Sequence, residues 1–349
     1  MDYEIIKKFP IEGEPVSAKA FGSGHISDTY LVTTDAGRRY IFQRLGDALD
    51  ADILMANIHA ITAECMRKSD GAGEFLHFLR DIDGNPYYKD ETGNYRMYEF
   101  VEDTITLEEP ETIEDCYQAA LGFGKFHKML CDFPAETLSE SIPDFHNTVK
   151  RYADFHEALL GGDPMRIAAV LPEINFVLER EFDAGELCSM RESGKLPVRV
   201  THNDAKMSNV LLREDTHEAV CAIDLDTVMP GLIAYDFGDM IRSGASASAE
   251  DEHDLDKIKI DLERVRMFAR GFLCDCQMSP AEVDSLALGA KIITLEQVVR
   301  FLGDYINGDI YYKTHYPDQN LYRTRAQIRL VEEIEAHWDE IVNIIRQEA

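Results

Sequence analysis

The sequence predicts an α+β protein of two lobes, a small β-rich lobe over residues 1–102 and a large helical lobe over residues 103–349. Three observations carry that expectation. Short extended runs, separated by Gly and Asp turns, fill most of the first hundred residues. From Glu111 onward, apolar residues recur at helical spacing instead. Between the two regimes, Glu99-Phe100-Val101-Glu102-Asp103 passes from a strand into polar chain. A chain of 349 residues has the length to give each lobe a core.

The elements follow in order. Residues 18–21, 28–33 and 39–45 read as strands. Leu54, Ile58, Ile61 and Cys65 lie at helical spacing within residues 53–68. Residues 75–80, 87–88 and 95–101 read as further strands, punctuated by Asp83-Gly84-Asn85-Pro86 and Thr92-Gly93-Asn94. Cys116, Ala120, Phe123, Phe126 and Leu130 form one apolar stripe, and Gly122 and Gly124 inside it permit close approach of a neighbour. At the end of the chain, Val331, Ile334, Trp338, Ile341 and Ile345 alternate steps of three and four, which predicts one last helix with a single buried seam.

Composition narrows the function. A hydrophobic fraction of 45% with 29% charged residues is that of a folded, soluble chain. The net charge of −30, from 35 basic and 65 acidic residues, disfavours nucleic acid and anionic membrane as partners. The N-terminus has no basic region followed by an apolar core, and no apolar run reaches the length of a membrane span. Seven scattered cysteines read as reduced thiols, so a cytoplasmic location is expected. No pattern points to assembly, and a monomer is favoured.

The chemistry concentrates in Thr201-His202-Asn203-Asp204-Ala205-Lys206-Met207-Ser208-Asn209 and Ile223-Asp224-Leu225-Asp226. The pattern is H-x-D-x4-N followed by a strand that ends in a carboxylate. Phosphoryl transfer from ATP needs these parts: a carboxylate, Asp204, to orient the attacking hydroxyl, and an amide and a second carboxylate, Asn209 and Asp224, to hold Mg2+ on the phosphates. Residues 198–200 predict a strand that delivers the His202 loop. Residues 210–212 and 220–223 predict a hairpin that sets Asn209 beside Asp224. His202 reads as a structural hydrogen-bonding partner. Asp226 either supports a second metal ion or braces the first.

This block resembles the aminoglycoside phosphotransferase and choline kinase superfamily, whose fold is that of the protein kinases. Gly231-Leu232-Ile233-Ala234-Tyr235-Asp236 is similar to the superfamily's G-x4-D segment, which implies that Asp236 braces the catalytic loop. Within the superfamily, residues 201–204, 223–231 and 235–239 resemble the N-acetylhexosamine 1-kinases most. The likeness continues at residues 143–148 and 300–305. It implies an acceptor at the anomeric hydroxyl of N-acetylglucosamine or N-acetylgalactosamine, a sugar 1-phosphate product, and sugar contacts from His25, Arg300 and Tyr311 beside Asp204.

At the nucleotide end, Gly22, Ser23 and Gly24 stand between two strands, where glycines let backbone N–H groups approach phosphates. No Gly-Lys-Ser/Thr follows, so this is not a Walker A loop. The third strand offers Arg44 as a phosphate contact, with Gln43 on the opposite face. Glu64 either pairs with Arg44 or is a surface glutamate. The adenine is expected against the backbone from Glu99 to Val101. Rival readings are a kinase for choline, homoserine, an aminoglycoside or another sugar, and a non-catalytic nucleotide-binding module. A hydrolase is disfavoured, since the eleven histidines include no H-x-H or H-x-x-x-H pair.

Overall fold

The alternating runs of the first hundred residues form one antiparallel sheet. The structure, a computed structural model, describes residues 3–22, 28–47, 49–69, 75–274 and 276–349. A short helix, α1 (Tyr3–Ile6), precedes β1 (Pro15–Ala20), β2 (Asp28–Thr34) and β3 (Arg39–Arg44). Helix α2 (Ala51–Lys68) then leads to β4 (Phe78–Leu79), β5 (Tyr88–Asp90) and β6 (Gly93–Glu99). The strand order is β1-β2-β3-β6-β4, with β5 also paired to β6. Phe42 pairs with Met97, and Gln43 with Arg96. Side chains alternate across a strand, so these two pairs face opposite ways. Val32, Tyr40, Phe42, Tyr95 and Met97 pack against Ile6 and Phe9 on one face. Gln43 and Arg96 turn to the other.

Asp50 caps α2 by accepting hydrogen bonds from the N–H groups of Asp52 and Ile53. The expected stripe, Leu54, Ile58, Ile61 and Cys65, is buried, and it clusters with Val200, Val220, Leu225 and Val228. Helix α2 thereby ties the sheet to the catalytic block.

The rest of the chain is mostly helical. After β7 (Thr104–Ile105) come α3 (Ile113–Leu130), α4 (Thr148–Gly161), α5 (Pro164–Ala169), α6 (Leu171–Glu179), α7 (Glu181–Ala184) and α8 (Glu186–Glu192). Four short strands follow: β8 (Arg199–Thr201), β9 (Val210–Arg213), β10 (Ala219–Ala222) and β11 (Met229–Gly231). The chain closes with α9 (Ile233–Gly244), α10 (Leu262–Leu273), α11 (Pro280–Ile306), α12 (Gln319–Ala336) and α13 (Trp338–Glu348). β9 lies between β10 and β7, and β8 pairs with β11. Thr112 and Asp115 close a reciprocal cap at the start of α3, and Ser279 and Glu282 do so for α11.

The single last helix expected from the sequence is two helices. At His337 the backbone leaves helical geometry, with φ −107° and ψ 21°. The seam is buried nonetheless, but it serves two clusters. Val331 packs with α4 and α11, whereas Ile334, Ile341 and Ile345 join the core around α9 and α10. The spacing survives because the break leaves the apolar stripe in phase. None of the seven cysteines is in a disulfide, and no helix among the described residues is long and apolar enough to cross a membrane.

Helices α3 and α10 cross at glycines, as the stripe with Gly122 and Gly124 foreshadows. A Cβ on Gly124 would lie 2.9 Å from the carbonyl oxygens of both Gly271 and Phe272. Gly124→Ala is therefore expected to lower stability by about 1–3 kcal/mol in urea unfolding, despite the better helix propensity of alanine. An unchanged or raised midpoint would contradict this close approach.

Candidate active site

β8 delivers a loop whose shape is fixed from behind by one carboxylate. Asp236, in the first turn of α9, accepts hydrogen bonds from the backbone N–H of His202 at 2.8 Å and of Asn203 at 2.6 Å. His127 Nε2 lies 2.9 Å from the same carboxylate. Burial opposes ionisation of Asp236, but the neighbouring His127 ring, with the loop N–H groups, outweighs it and holds the carboxyl below its usual range. The His202 ring sits between Phe123 and Phe126, and its Nε2 is 2.7 Å from the carbonyl of Ile223. It holds the loop against the Asp224 segment.

Two non-glycine residues here take left-handed backbone, Asn203 at φ 63° and Asp224 at φ 56°. Such a conformation is uncommon for residues other than Gly, Asn and Asp. The Asn203 amide donates to the carbonyl of Thr227 at 2.9 Å, and Thr227 Oγ1 donates to the carbonyl of His202 at 2.6 Å. The two turns therefore brace each other.

The structure brings Asp204, Asn209 and Asp224 together. Asn209 Nδ2 donates to the Asp204 carbonyl at 2.8 Å and to its Oδ2 at 2.9 Å. Among the described residues, nothing donates to Asn209 Oδ1, which remains as a hard oxygen ligand. The β9–β10 hairpin forms as expected, and the Asn209 carbonyl accepts the Ile223 N–H at 2.9 Å. Asp224 thus follows directly on the strand beside Asn209. Asp224 is open to solvent on one side, with protein around the rest of its carboxyl. The surrounding protein, then the charges of Asp226 and Asp204, push its carboxyl above the usual range. Carboxylates that repel one another beside an amide oxygen are the donor set a hard divalent cation relieves, so these residues fit Mg2+.

Two cations, absent from the H-x-D-x4-N pattern, complete this corner. Lys206 Nζ lies 3.1 Å from Asp204 Oδ2. Burial works against its charge, but Asp204 and Asp239 outweigh that and raise it. Arg96, on β6, forms a buried ion pair with Asp226, while its Nε donates to Gln43 Oε1 at 2.8 Å.

Arg44 lies elsewhere. It is on the sheet face opposite Gln43, where Nε donates to the Thr92 carbonyl at 3.2 Å and Nη2 to Asp47 at 2.9 Å. The alternation of β3 is as expected, but the face turned to the cleft is that of Gln43. Glu64 pairs with Arg67 and Lys68, not with Arg44. Gly22, two residues beyond β1, takes φ 79°, a conformation suited to glycine. Ser23, Gly24 and His25 lie outside the described residues. Glu99 closes β6, with its N–H bonded to the His77 carbonyl at 3.1 Å. Val101 follows, and its carbonyl accepts the Thr104 hydroxyl at 2.8 Å.

On the helical side, a buried chain of contacts runs from the catalytic loop to Arg300. The His146 ring is 3.0 Å from the Asn203 carbonyl through Nε2 and 3.0 Å from Glu296 Oε1 through Nδ1. Burial disfavours charge on His146, but Glu296 overrides it and raises the imidazole. Arg300 lies 3.9 Å from Glu296, among the rings of Phe145, Tyr311 and Tyr312 at 5.4–5.9 Å. Asp304 shapes this enclosure. Its carboxylate accepts the backbone N–H groups of Ile310, Tyr311 and Tyr312 at 3.0, 2.8 and 3.0 Å. The Arg300 segment carries the sequence signal for this end of the site; the His146–Glu296 link has none, because it joins residues 150 apart.

The sequence matches the APH phosphotransferase enzyme family over residues 17–268. The chain belongs to this family. Solved structures of other phosphotransferases share its fold. An aminoglycoside phosphotransferase from Alicyclobacillus acidocaldarius aligns with a TM-score of 0.65 at 17% identity, over 100% of this chain and 96% of that one. The microcompartment-associated aminopropanol kinase gives 0.63 at 15% identity, over 97% of each chain. Amicoumacin kinase, in complex with AMP-PNP and Ca2+, gives 0.61 at 12% identity, over 95% of this chain and 92% of that one. This phosphotransferase thus has the kinase-like, two-lobed α+β fold that its sequence implies.

Removing the brace tests how the site is held. Asp236→Asn is expected to destabilise the phosphotransferase by about 3 kcal/mol at neutral pH, since it removes a buried charge partner. The folded carboxyl titrates below its unfolded value, so this stabilisation is present above the ordinary carboxylate range and is lost as pH falls through the folded pKa. The gap between parent and variant should therefore narrow in acid. A gap independent of pH would exclude the ionised carboxylate as the brace.

Proposed function

We propose that the protein is an ATP-dependent kinase that phosphorylates the C1 hydroxyl of N-acetylhexosamines. Residues 1–102 serve as its nucleotide lobe and residues 103–349 as its catalytic and acceptor lobe. The observation that carries the reading is the meeting of Asp204, Asn209 and Asp224 at one cleft, linked through His146 and Glu296 to Arg300. Family membership supports phosphotransfer. The sugar rests on the resemblance of residues 143–148, 201–204, 223–231, 235–239 and 300–305, and on the character of the acceptor end. An aromatic enclosure free of cations would suit an amine or a quaternary ammonium. Here the protein's own Arg300 fills it. A guanidinium among rings favours a neutral acceptor with carbonyl and hydroxyl acceptors and an apolar face, as an N-acetylated sugar has.

In this reading Asp204 orients the O1 hydroxyl for in-line attack on the γ-phosphorus. A bond forms from O1 to phosphorus as the bond to the β-bridging oxygen breaks, and ADP leaves with that electron pair. The hydroxyl proton passes to Asp204 late, so positioning dominates. Lys206, beside Asp204, places positive charge where the transferring group carries its negative charge. Asn209 and Asp224 would hold Mg2+, which when bound would neutralise charge on the phosphates. Val101 and Glu99 offer backbone to the adenine, and Gly22, Ser23 and Gly24 cover the phosphates. Arg300, Tyr311 and His25 contact the sugar.

Two measurements check this. A coupled ADP-release assay, with phosphorus NMR of the product, should show turnover of N-acetylglucosamine or N-acetylgalactosamine to the 1-phosphate, and none of choline, homoserine, aminoglycosides or aminopropanol. Turnover of an amino alcohol with no sugar accepted would replace the sugar reading. Asp204→Asn should lower kcat by about a hundredfold or more while keeping nucleotide affinity. A near-normal kcat would remove Asp204 from its role.

A further inference from the structure

We infer that Arg96, not a residue of the third strand, is the cation that the β-sheet presents to the nucleotide phosphates. This rests on the nucleotide-dependent phosphotransfer proposed above. A kinase-like sheet ordinarily supplies a basic side chain from its third strand to the α- and β-phosphates. In this chain the cleft-facing residue of β3 is Gln43, which has no charge, and Arg44 is turned to the far face and bound by Thr92 and Asp47. The register sets Arg96 directly opposite Gln43 on β6, so its guanidinium emerges at the same place from the neighbouring strand.

The setting of Arg96 is built for this task. Its side chain is 2% exposed, and it is the largest of the fully buried side chains. A guanidinium so enclosed demands fixed partners. Gln43 Oε1 accepts from Nε at 2.8 Å, and Gln43 is itself held by a 2.9 Å bond from its Nε2 to Thr29 Oγ1. Asp226 accepts from Nη1. Nη2 has no partner among the described residues. Asp226 stands two residues from Asp224, so the guanidinium borders the turn that carries Asp224. A planar guanidinium pinned at Nε and Nη1 cannot swing, and its remaining N–H groups form a preorganised donor for phosphate oxygens. The rival role is a latch, with Arg96 joining the sheet to the catalytic turn and touching no ligand.

Binding separates the two roles without using turnover. Displacement of a fluorescent ADP analogue from the full-length protein gives Kd for ADP and for adenosine, with and without Mg2+. Arg96→Met tests the side chain and Arg96→Lys keeps a charge. Arg96→Met/Asp226→Asn removes both charges together, so a folded protein is available if Asp226 cannot tolerate losing its partner. The preference for ADP over adenosine should fall about tenfold or more in the methionine variants, as loss of a charged hydrogen bond requires, and less in Arg96→Lys. Adenosine affinity should change little. Equal weakening of both ligands would make Arg96 a latch and overturn the inference, as would ADP affinity unchanged in either methionine variant. If the parent protein bound no nucleotide at all, the phosphotransfer reading would fail, and the role of Arg96 with it.

Discussion

Three carboxylates of one sign share a single corner of this molecule. Burial by the surrounding protein, then the charges of Asp226 and Asp204, push Asp224 above its usual range, and Arg96 and Lys206 stand against the other two carboxylates. Neither cation bonds to Asp224, and the charge of Arg96 only partly offsets the upward push on its carboxyl. That imbalance is costly in a folded protein, and it is retained only where surrounding structure holds it in place. Much of the architecture does so. Asp236 pins the loop before Asp204, the His202 ring holds that loop to Ile223, and the left-handed turns at Asn203 and Asp224 brace each other. A divalent cation with bound phosphates would relieve the strain, which is how an electrostatic liability becomes a binding site.

The acceptor end is coupled to the same loop. The His146 ring donates to the Asn203 carbonyl on one side and meets the Glu296 carboxylate on the other, and Glu296 faces Arg300. All of these groups are buried or nearly so, and a partly satisfied network in such surroundings would be destabilising. Asp304 fixes the backbone of Ile310, Tyr311 and Tyr312 by three N–H bonds, so the two tyrosine rings beside Arg300 are positioned by main chain. A substrate that met Arg300 would therefore press on a rigid frame continuous with the residue before Asp204.

Local pattern made the sheet, the α2 stripe, the glycine crossing of α3 and the β9–β10 hairpin legible in the sequence, because each follows from spacing within a short segment. The placing of Asn209 beside the Asp224 turn was legible for the same reason, since one hairpin carries both. What could not be read were choices made by distant partners. Alternation along β3 separates Gln43 from Arg44, but only the packing of Ile6 and Phe9 on one sheet face decides which of them looks into the cleft. The Arg96–Asp226 pair spans 130 positions and the His146–Glu296 pair 150, and no periodicity records either. The break at His337 escaped notice because the apolar steps of three and four run across it unaltered.

Metal affinity in the presence of nucleotide tests most directly whether this corner is a phosphate–metal site. Mn2+ can be followed by electron paramagnetic resonance as it binds to the ADP complex of the parent protein and of Asp224→Ala. If Asn209 and Asp224 hold the ion, the parent binds it tightly and the variant loses about a hundredfold or more in affinity, as removal of a charged ligand demands. Equal affinity for Mn2+ in the two proteins would mean that the carboxylates meet here for some reason other than phosphoryl transfer.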